Sequence, residues 1–249
     1  MEERDRRTKI AILSDIHGNA QALRAVLAVV RRMEIREVFV LGDFLGYYYE
    51  AREVLALLAD AAFHVTAVRG NHERMLACVR AGERGLAAVT EKYGHGLARA
   101  MEMLPESEQT RLAGLPDARR VEVAGVHFLL AHGTPCAPER YVYPDAPAMV
   151  LDEAMASAGD ADIVLLGHTH YPMVRACGMR LLMNPGSVGQ ARQRGGVADW
   201  CIVHAETGVV QPMATPYDVR PVLRAVQQWD PDVLYLRDVL LRGRADAME

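Results

Sequence analysis

The chain has 249 residues, 51% of them hydrophobic and 24% charged, which suits one large domain or two small ones with a sizeable core and excludes intrinsic disorder. Its 28 basic and 32 acidic residues leave a net charge of -4, which excludes coating of long nucleic acids by bulk charge, although a local groove can still be basic. Lysine occurs only as Lys9 and Lys92, and the arginine excess reads as an arginine-favouring genome before it reads as phosphate recognition.

The charged start Met1-Glu2-Glu3-Arg4-Asp5-Arg6-Arg7 lacks the apolar stretch of a signal peptide. No segment approaches the ~20 consecutive apolar residues of a membrane helix. Cys78, Cys136, Cys177 and Cys201 stand far apart with no C-x-x-C pair, so reduced thiols are expected. These features predict a cytoplasmic protein with no membrane partner.

Lys9–Leu13 reads as a buried strand, followed at 21–32 by a helix whose Leu23, Val26, Leu27 and Val30 recur at helical spacing. Residues 38–41 give a second strand, 51–59 a helix and 65–68 a third strand. This alternation implies parallel pairing through right-handed crossovers, hence an α/β sheet covered by helices. From 73 to 116 the pattern turns helical, broken by Gly82, Gly85, Gly94 and Gly96. Within it, 86–115 is read as an inserted helical cap, or alternatively as a dimerisation or core-covering element, with Leu97, Met101 and Leu104 on one face and Glu102, Glu106, Glu108 and Arg111 on the other. Residues 120–123 and Val126–Ala131, separated by Ala124-Gly125, read as a hairpin. A helix from 148 to about 158 and a buried strand at 163–166 follow. Strands at 173–176, 180–183, 200–204 and 209–213 are expected to form an antiparallel second half. A C-terminal helical extension at about 219–242 contains two helices broken at Asp230-Pro231. With no repeat or linker, residues 1–249 read as one domain with these decorations.

Five polar clusters follow apolar strands: Ser14-Asp15-Ile16-His17-Gly18-Asn19, Gly42-Asp43, Arg69-Gly70-Asn71-His72-Glu73, His132-Gly133 and Gly167-His168-Thr169-His170. Each begins at the carboxyl end of a predicted strand, where open α/β sheets place their ligand crevice. Taken singly, each has an ordinary explanation: a turn aspartate, Asn71 capping a helix, or His132 satisfying a carbonyl. His168 and His170 alternate along an extended chain and so point the same general way. Taken together, the clusters deliver aspartate, asparagine and five of nine histidines to one edge, a donor set suited to transition metals. The other four, His64, His95, His127 and His204, read as structural or surface histidines.

This set resembles the calcineurin-like metallophosphoesterases, whose pattern is D-x-H, G-D, G-N-H-[DE], H and G-H-x-H, over roughly residues 9–213. The resemblance implies a four-layer αββα sandwich with a two-metal centre. Asp15, His17 and His170 would bind one metal, Asn71, His132 and His168 the other, and Asp43 both. Mixed nitrogen and oxygen donors suit manganese, iron, zinc, nickel or cobalt, and the resemblance implies manganese for activity. Two cations about 3.5–4 Å apart would neutralise phosphate oxygens and hold an attacking hydroxide. His72 would stand beside the phosphate, stabilising its oxygens or protonating the leaving alkoxide, the latter typically worth ~10²–10⁴ in rate. Glu73 or Asp43 would orient it.

Two departures narrow the resemblance. Protein Ser/Thr phosphatases share Arg69-Gly70-Asn71-His72-Glu73, but their G-D-x-V-D-R-G motif is here Gly42-Asp43-Phe44-Leu45-Gly46-Tyr47-Tyr48, without the clamping arginine. Asp15-Ile16-His17-Gly18-Asn19 and Asn184-Pro185-Gly186-Ser187-Val188-Gly189 look like the compact bacterial and archaeal phosphodiesterases, many of which have cysteine in place of His72. The expected substrate is therefore a small phosphorylated or nucleotide molecule, with a phosphoprotein or a non-enzymatic scaffold role as alternatives. Asn19, Tyr47, Arg192 and Arg194 are candidate substrate contacts; Tyr47, Tyr48 and Tyr49 either stack on an aromatic group or pack beneath the insert. A homo-oligomer is compatible with the sequence.

Overall fold

The structure, a computed structural model, describes residues 8–243, so the charged start read above lies outside the described residues. One sheet has the order β10-β9-β1-β2-β3. Strands β1 (Lys9–Leu13), β2 (Glu37–Val40) and β3 (His64–Ala67) run parallel, joined through helices α1 (Ala20–Arg32) and α2 (Ala51–Leu58). Strands β9 (Val197–His204) and β10 (Val209–Pro216) continue this sheet antiparallel from β1. The second sheet, β4-β5-β6-β8-β7, comprises β4 (Ala118–Val123), β5 (Val126–Ala131), β6 (Ile163–Leu165), β7 (Met173–Cys177) and β8 (Arg180–Asn184).

The expected antiparallel second half is therefore corrected. Its four strands form two antiparallel pairs in different sheets, and β8 also runs parallel to β6, pairing Ile163 with Leu181 and Leu165 with Met183. Burial explains this placement: Leu181 and Met183 face one core while Leu182 faces another, so β8 needs an interior position.

Side-chain alternation then builds the layers. Ile10, Ile12, Phe39 and Leu41 meet Phe128, Leu130, Ile163 and Leu165 between the sheets. Their neighbours Ala11, Leu13, Val38 and Val40 face α1 and α2 on the outer side, and Leu129, Val164 and Leu182 face Leu151, Ala154 and Met155 of α7 (Ala148–Ala156). The fold is the αββα sandwich of the metallophosphoesterases.

Residues 71–113 supply α3 (Asn71–Arg80), α4 (Leu86–Tyr93), α5 (Gly96–Met103) and α6 (Glu106–Ala113). Val89, Leu97, Ala100, Leu104 and Leu112 are buried in the same core as α1 and α2, so the insert completes a layer of the sandwich. Gly96 packs so closely on the Gly46 carbonyl that a Cβ there would lie 1.6 Å from the oxygen. Helices α8 (Arg220–Trp229) and α9 (Leu234–Leu241) bury Val222, Val226, Leu236, Val239 and Leu240 against Tyr47, Tyr48 and Tyr49. Among the described residues, no helix is long and apolar enough to cross a membrane.

Candidate metal centre

The five polar clusters leave the carboxyl ends of β1, β2, β3, β5 and β6, and backbone bonds tie them together. Asp15 N–H donates to Gly42 O at 3.1 Å, His17 N–H to Asp43 O at 2.8 Å and Gly167 N–H to His132 O at 2.8 Å. Five residues here hold positive φ without being glycine: Asp15 (53°), His17 (52°), Asp43 (54°), His168 (70°) and His170 (61°). Each such conformation costs on the order of 1–3 kcal/mol, and the surrounding packed sandwich has to hold it.

The carboxylates are divided in use. Asp15 Oδ2 accepts from Ser14 Oγ at 2.5 Å and His168 N–H at 3.1 Å, while Oδ1 is buried with no hydrogen-bond partner. Asp43 Oδ1 accepts the His72 N–H at 2.9 Å, and Oδ2 lies 3.3 Å from His132 Nε2 and 3.6 Å from His17 Nε2.

Backbone carbonyls dictate which imidazole nitrogen faces them, because a carbonyl only accepts. Nδ1 of His17 donates to Leu45 O at 3.3 Å, Nδ1 of His132 to Leu41 O at 2.7 Å and Nδ1 of His170 to Gln190 O at 2.9 Å. His168 is the reverse: its Nε2 donates to Glu139 O at 3.1 Å. In neutral His17 and His170 the Nε2 atoms carry lone pairs, yet they stand 3.0 Å apart, with Asp15 Oδ1 at 3.7 and 3.2 Å. Three acceptors facing one another repel unless a cation lies between them. Donors about 2.1 Å from a metal lie about 3.0–3.4 Å from each other in octahedral or tetrahedral sites, so the spacing suits an ion.

A second convergence joins Asp43 Oδ2, His132 Nε2 and Asn71 Oδ1, the last two 2.9 Å apart. Burial opposes a charge on His132, but Asp43 and Asp15 outweigh it and raise its pKa to about 10. The two carboxylates thus favour positive charge at this position. Among the described residues, three groups have ligand atoms within 4.8 Å of one another: Asp15, His17 and His170; Asp15, Asp43 and His132; and His17, Asp43 and His72. His168 flanks them, its ring centroid 4.9 Å from that of His132. Burial, then the charge of His132, lowers His168 to about 4.

His72 is buried, with its ring among His17, Tyr47 and Tyr93 at centroid distances of 4.9, 5.0 and 5.2 Å. Its Nδ1 has no partner, and neither Asp43 nor Glu73 bonds the ring. Burial pushes its pKa down to about 3 despite the attraction of Asp43. Gly46, at φ 138°, gives the ring room: a Cβ there would lie 2.4 Å from Nδ1. Glu73 instead receives the N–H groups of Asp43 and Gly70 at 2.8 Å, Phe44 at 2.9 Å and Leu45 at 3.4 Å, making it the anchor of the Asp43 loop. The sequence offered Glu73 only as a partner for His72; its cradle is made of backbone donors, which leave no side-chain signal.

The other candidates separate. Asn19 caps α1 through Ala22 N–H at 3.1 Å and donates to Gly189 O at 2.9 Å and Tyr217 Oη at 3.1 Å, so its amide is fully engaged. Tyr47 packs with its ring centroid 4.5 Å from that of His17, beside the clustered histidines. Tyr48 and Tyr49 are buried away from them, donating to Leu236 O at 3.2 Å and Asp230 Oδ2 at 2.7 Å. Arg192 is half-buried and its charge acts on Tyr47, Tyr141, Tyr235 and His170, whereas exposed Arg194 acts on Asp199. The Asn184 turn is a strut: Ser187 Oγ donates to Asp15 O at 2.7 Å, and Asn184 Nδ2 to Gly167 O.

The sequence model of the calcineurin-like phosphoesterase superfamily domain matches residues 8–208. The chain belongs to that superfamily. This makes it a metal-dependent phosphoester hydrolase by family. Protein MJ0912 of Methanocaldococcus jannaschii is 26% identical over 92% of this chain and 98% of its own. Among solved structures, protein PH1004 of Pyrococcus horikoshii superposes with a TM-score of 0.81 at 20% identity, covering 94% of this chain and 98% of that one. A metallophosphoesterase of Sphaerobacter thermophilus superposes with a TM-score of 0.74 at 24% identity, covering 94% and 99%.

Proposed function

We propose that the chain hydrolyses phosphodiester, phosphomonoester or nucleotide phosphoanhydride bonds, diester and nucleotide substrates being favoured, with two divalent transition-metal ions. Asp15, His17 and His170 hold one ion, Asn71, His132 and His168 the other, and Asp43 both. The observation that carries this reading is the 3.0 Å approach of the His17 and His170 Nε2 atoms beside the unpartnered Asp15 Oδ1. When bound, such ions neutralise phosphate charge and activate water at neutral pH. Manganese is the ion expected, and iron, zinc, nickel and cobalt suit the same donors.

The chain's own groups do the rest. His72 is kept neutral by burial, so it offers one N–H to a phosphate oxygen; this favours stabilisation of the phosphate over proton delivery to the leaving group. Arg192, whose charge acts on Tyr47 and Tyr141 beside the histidine cluster, is the phosphate contact we assign in preference to Asn19 and Arg194. Tyr47 stands where protein phosphatases carry their clamping arginine, so a dianionic phosphoseryl group gains less here than a diester. Tyr93, from the insert, touches both Tyr47 and His72 and limits the substrate's size on that side.

The test combines metal analysis with a substrate panel on manganese-loaded protein. Wild type should bind two ions, and Asp43→Asn should lose occupancy at both positions and about a hundredfold or more in turnover. Equal two-ion occupancy in both proteins would reject the bridging role. Efficient phosphopeptide hydrolysis without diesterase activity would reverse the substrate ranking.

A further inference from the structure

The segment following His132 carries two tyrosines with no burial to explain them. Tyr141 lies almost parallel to the His168 imidazole, with centroids 3.9 Å apart and planes at 19°. Tyr143 lies parallel to Tyr141, 5.6 Å away at 7°. Their exposures, 46% and 39%, contrast with the buried Tyr47, Tyr48 and Tyr49. The rings therefore form a stair leading outward from the metal-binding cluster.

The stair is held in place. The Glu139 carbonyl accepts from His168 itself, Arg140 pairs with Glu153 at 2.8 Å, and Arg175 donates to the Pro144 carbonyl at 2.7 Å. Pro138, Pro144 and Pro147 further restrict the segment. Two flat rings held in this way present π faces without an ordering cost at the moment of binding.

We propose that Tyr141 and Tyr143 form a stacking platform for the planar aromatic group of the substrate, a nucleobase joined to the reacting phosphate through its sugar. The inference deepens the phosphoesterase reading above and rests on it. Rings 5.6 Å apart leave no space for a third between them, so the base lies on the exposed faces. Arg192, whose charge also acts on Tyr141, lies close enough to contribute to binding the phosphate of the same ligand. Stacking of this kind tolerates any base, because every base has a π face.

Binding of adenosine monophosphate and of ribose phosphate to the manganese-loaded full chain, each used as its non-hydrolysable phosphonate with CH2 in place of the ester oxygen and measured by titration calorimetry, isolates the base, since both carry the same phosphonate. Wild type should bind the nucleotide about tenfold more tightly, as one stacked base warrants. Tyr143→Leu should remove most of that preference while moving ribose phosphate affinity by less than about twofold, and Tyr143→Phe, which keeps the ring, should restore it. Equal affinity for the two ligands in wild type overturns the platform and leaves the phosphate reading intact. Binding of neither ligand overturns both. A preference that survives Tyr143→Leu and Tyr141→Leu in folded, metal-replete proteins also overturns the platform.

Discussion

Two buried aspartates with histidine neighbours meet opposite fates in this molecule. Asp230 is 4% exposed, and its Oδ2 accepts from Tyr49 Oη at 2.7 Å and His95 N–H at 2.8 Å, while Oδ1 meets His95 Nδ1 at 2.7 Å. Asp15 is fully buried and keeps Oδ1 unpartnered, facing lone pairs on two imidazoles. Both carboxylates stand beside imidazoles. Saturation makes Asp230 a latch joining the α4–α5 turn, the tyrosine triplet and the turn between α8 and α9; its lack at Asp15 makes a place for a cation. Backbone strain divides the two regions the same way, since positive φ gathers at Asp15, His17, Asp43, His168 and His170.

The sharpest way to break this comparison is at His72, which also has an unpartnered buried nitrogen but is assigned to the phosphate. His72→Ala should keep both metals and lose about a hundredfold in turnover. A neutral imidazole predicts a similar loss for good and poor leaving groups, unlike the general-acid role that the sequence resemblance also allowed. Turnover that falls steeply with leaving-group basicity would restore proton delivery, and loss of metal would move His72 among the ligands.

Asp230 supplies the converse. Asp230→Ala strands the Tyr49 hydroxyl and the His95 donors, and should destabilise the fold by about 2–3 kcal/mol while leaving metal stoichiometry at the wild-type value. Thermal unfolding and elemental analysis of one preparation give both readings. A loss of metal without a loss of stability would show that the latch is not merely structural.

The same contrast explains what could be read from the sequence. The clustering of Asp15, His17, Asp43, Asn71, His132, His168 and His170 was legible because each follows an apolar strand and carries a side chain with donor chemistry. The ring nitrogen that each histidine turns inward was not, because it depends on carbonyls of Leu41, Leu45, Glu139 and Gln190, which have no side-chain signature. The strands were legible from their apolar runs, but the partner of β8 was not: burial on both faces requires a central strand without saying which neighbour it takes. The insert's apolar face was legible and its destination was not. Val89, Leu97 and Leu112 complete the main core, each burial worth roughly 1.5–3 kcal/mol, so replacing 86–115 by a linker removes a structural layer as well as the Tyr93 ring beside His72. Tyr48 and Tyr49 find partners more than 180 residues away.

The smallest expected effect concerns a carboxylate that belongs to neither class. Asp199, on β9, is half-buried, and burial raises its pKa to about 6 although Arg194 opposes the shift. A folded-state value above the unfolded one means that the folded chain prefers the protonated acid. Its contribution to stability is therefore fully present below about pH 4 and is lost as the pH rises through about 6. Asp199→Asn mimics the neutral form at every pH. The variant should match wild type near pH 4 and exceed it at pH 7 by about 1 kcal/mol, a value already reduced for solvent screening. Denaturant unfolding at both pH values reads this difference between proteins, so any loss of metal in acid is common to both. Equal stability at pH 7 would mean that water or Arg194 satisfies the Asp199 carboxylate as fully as Tyr49 and His95 satisfy Asp230.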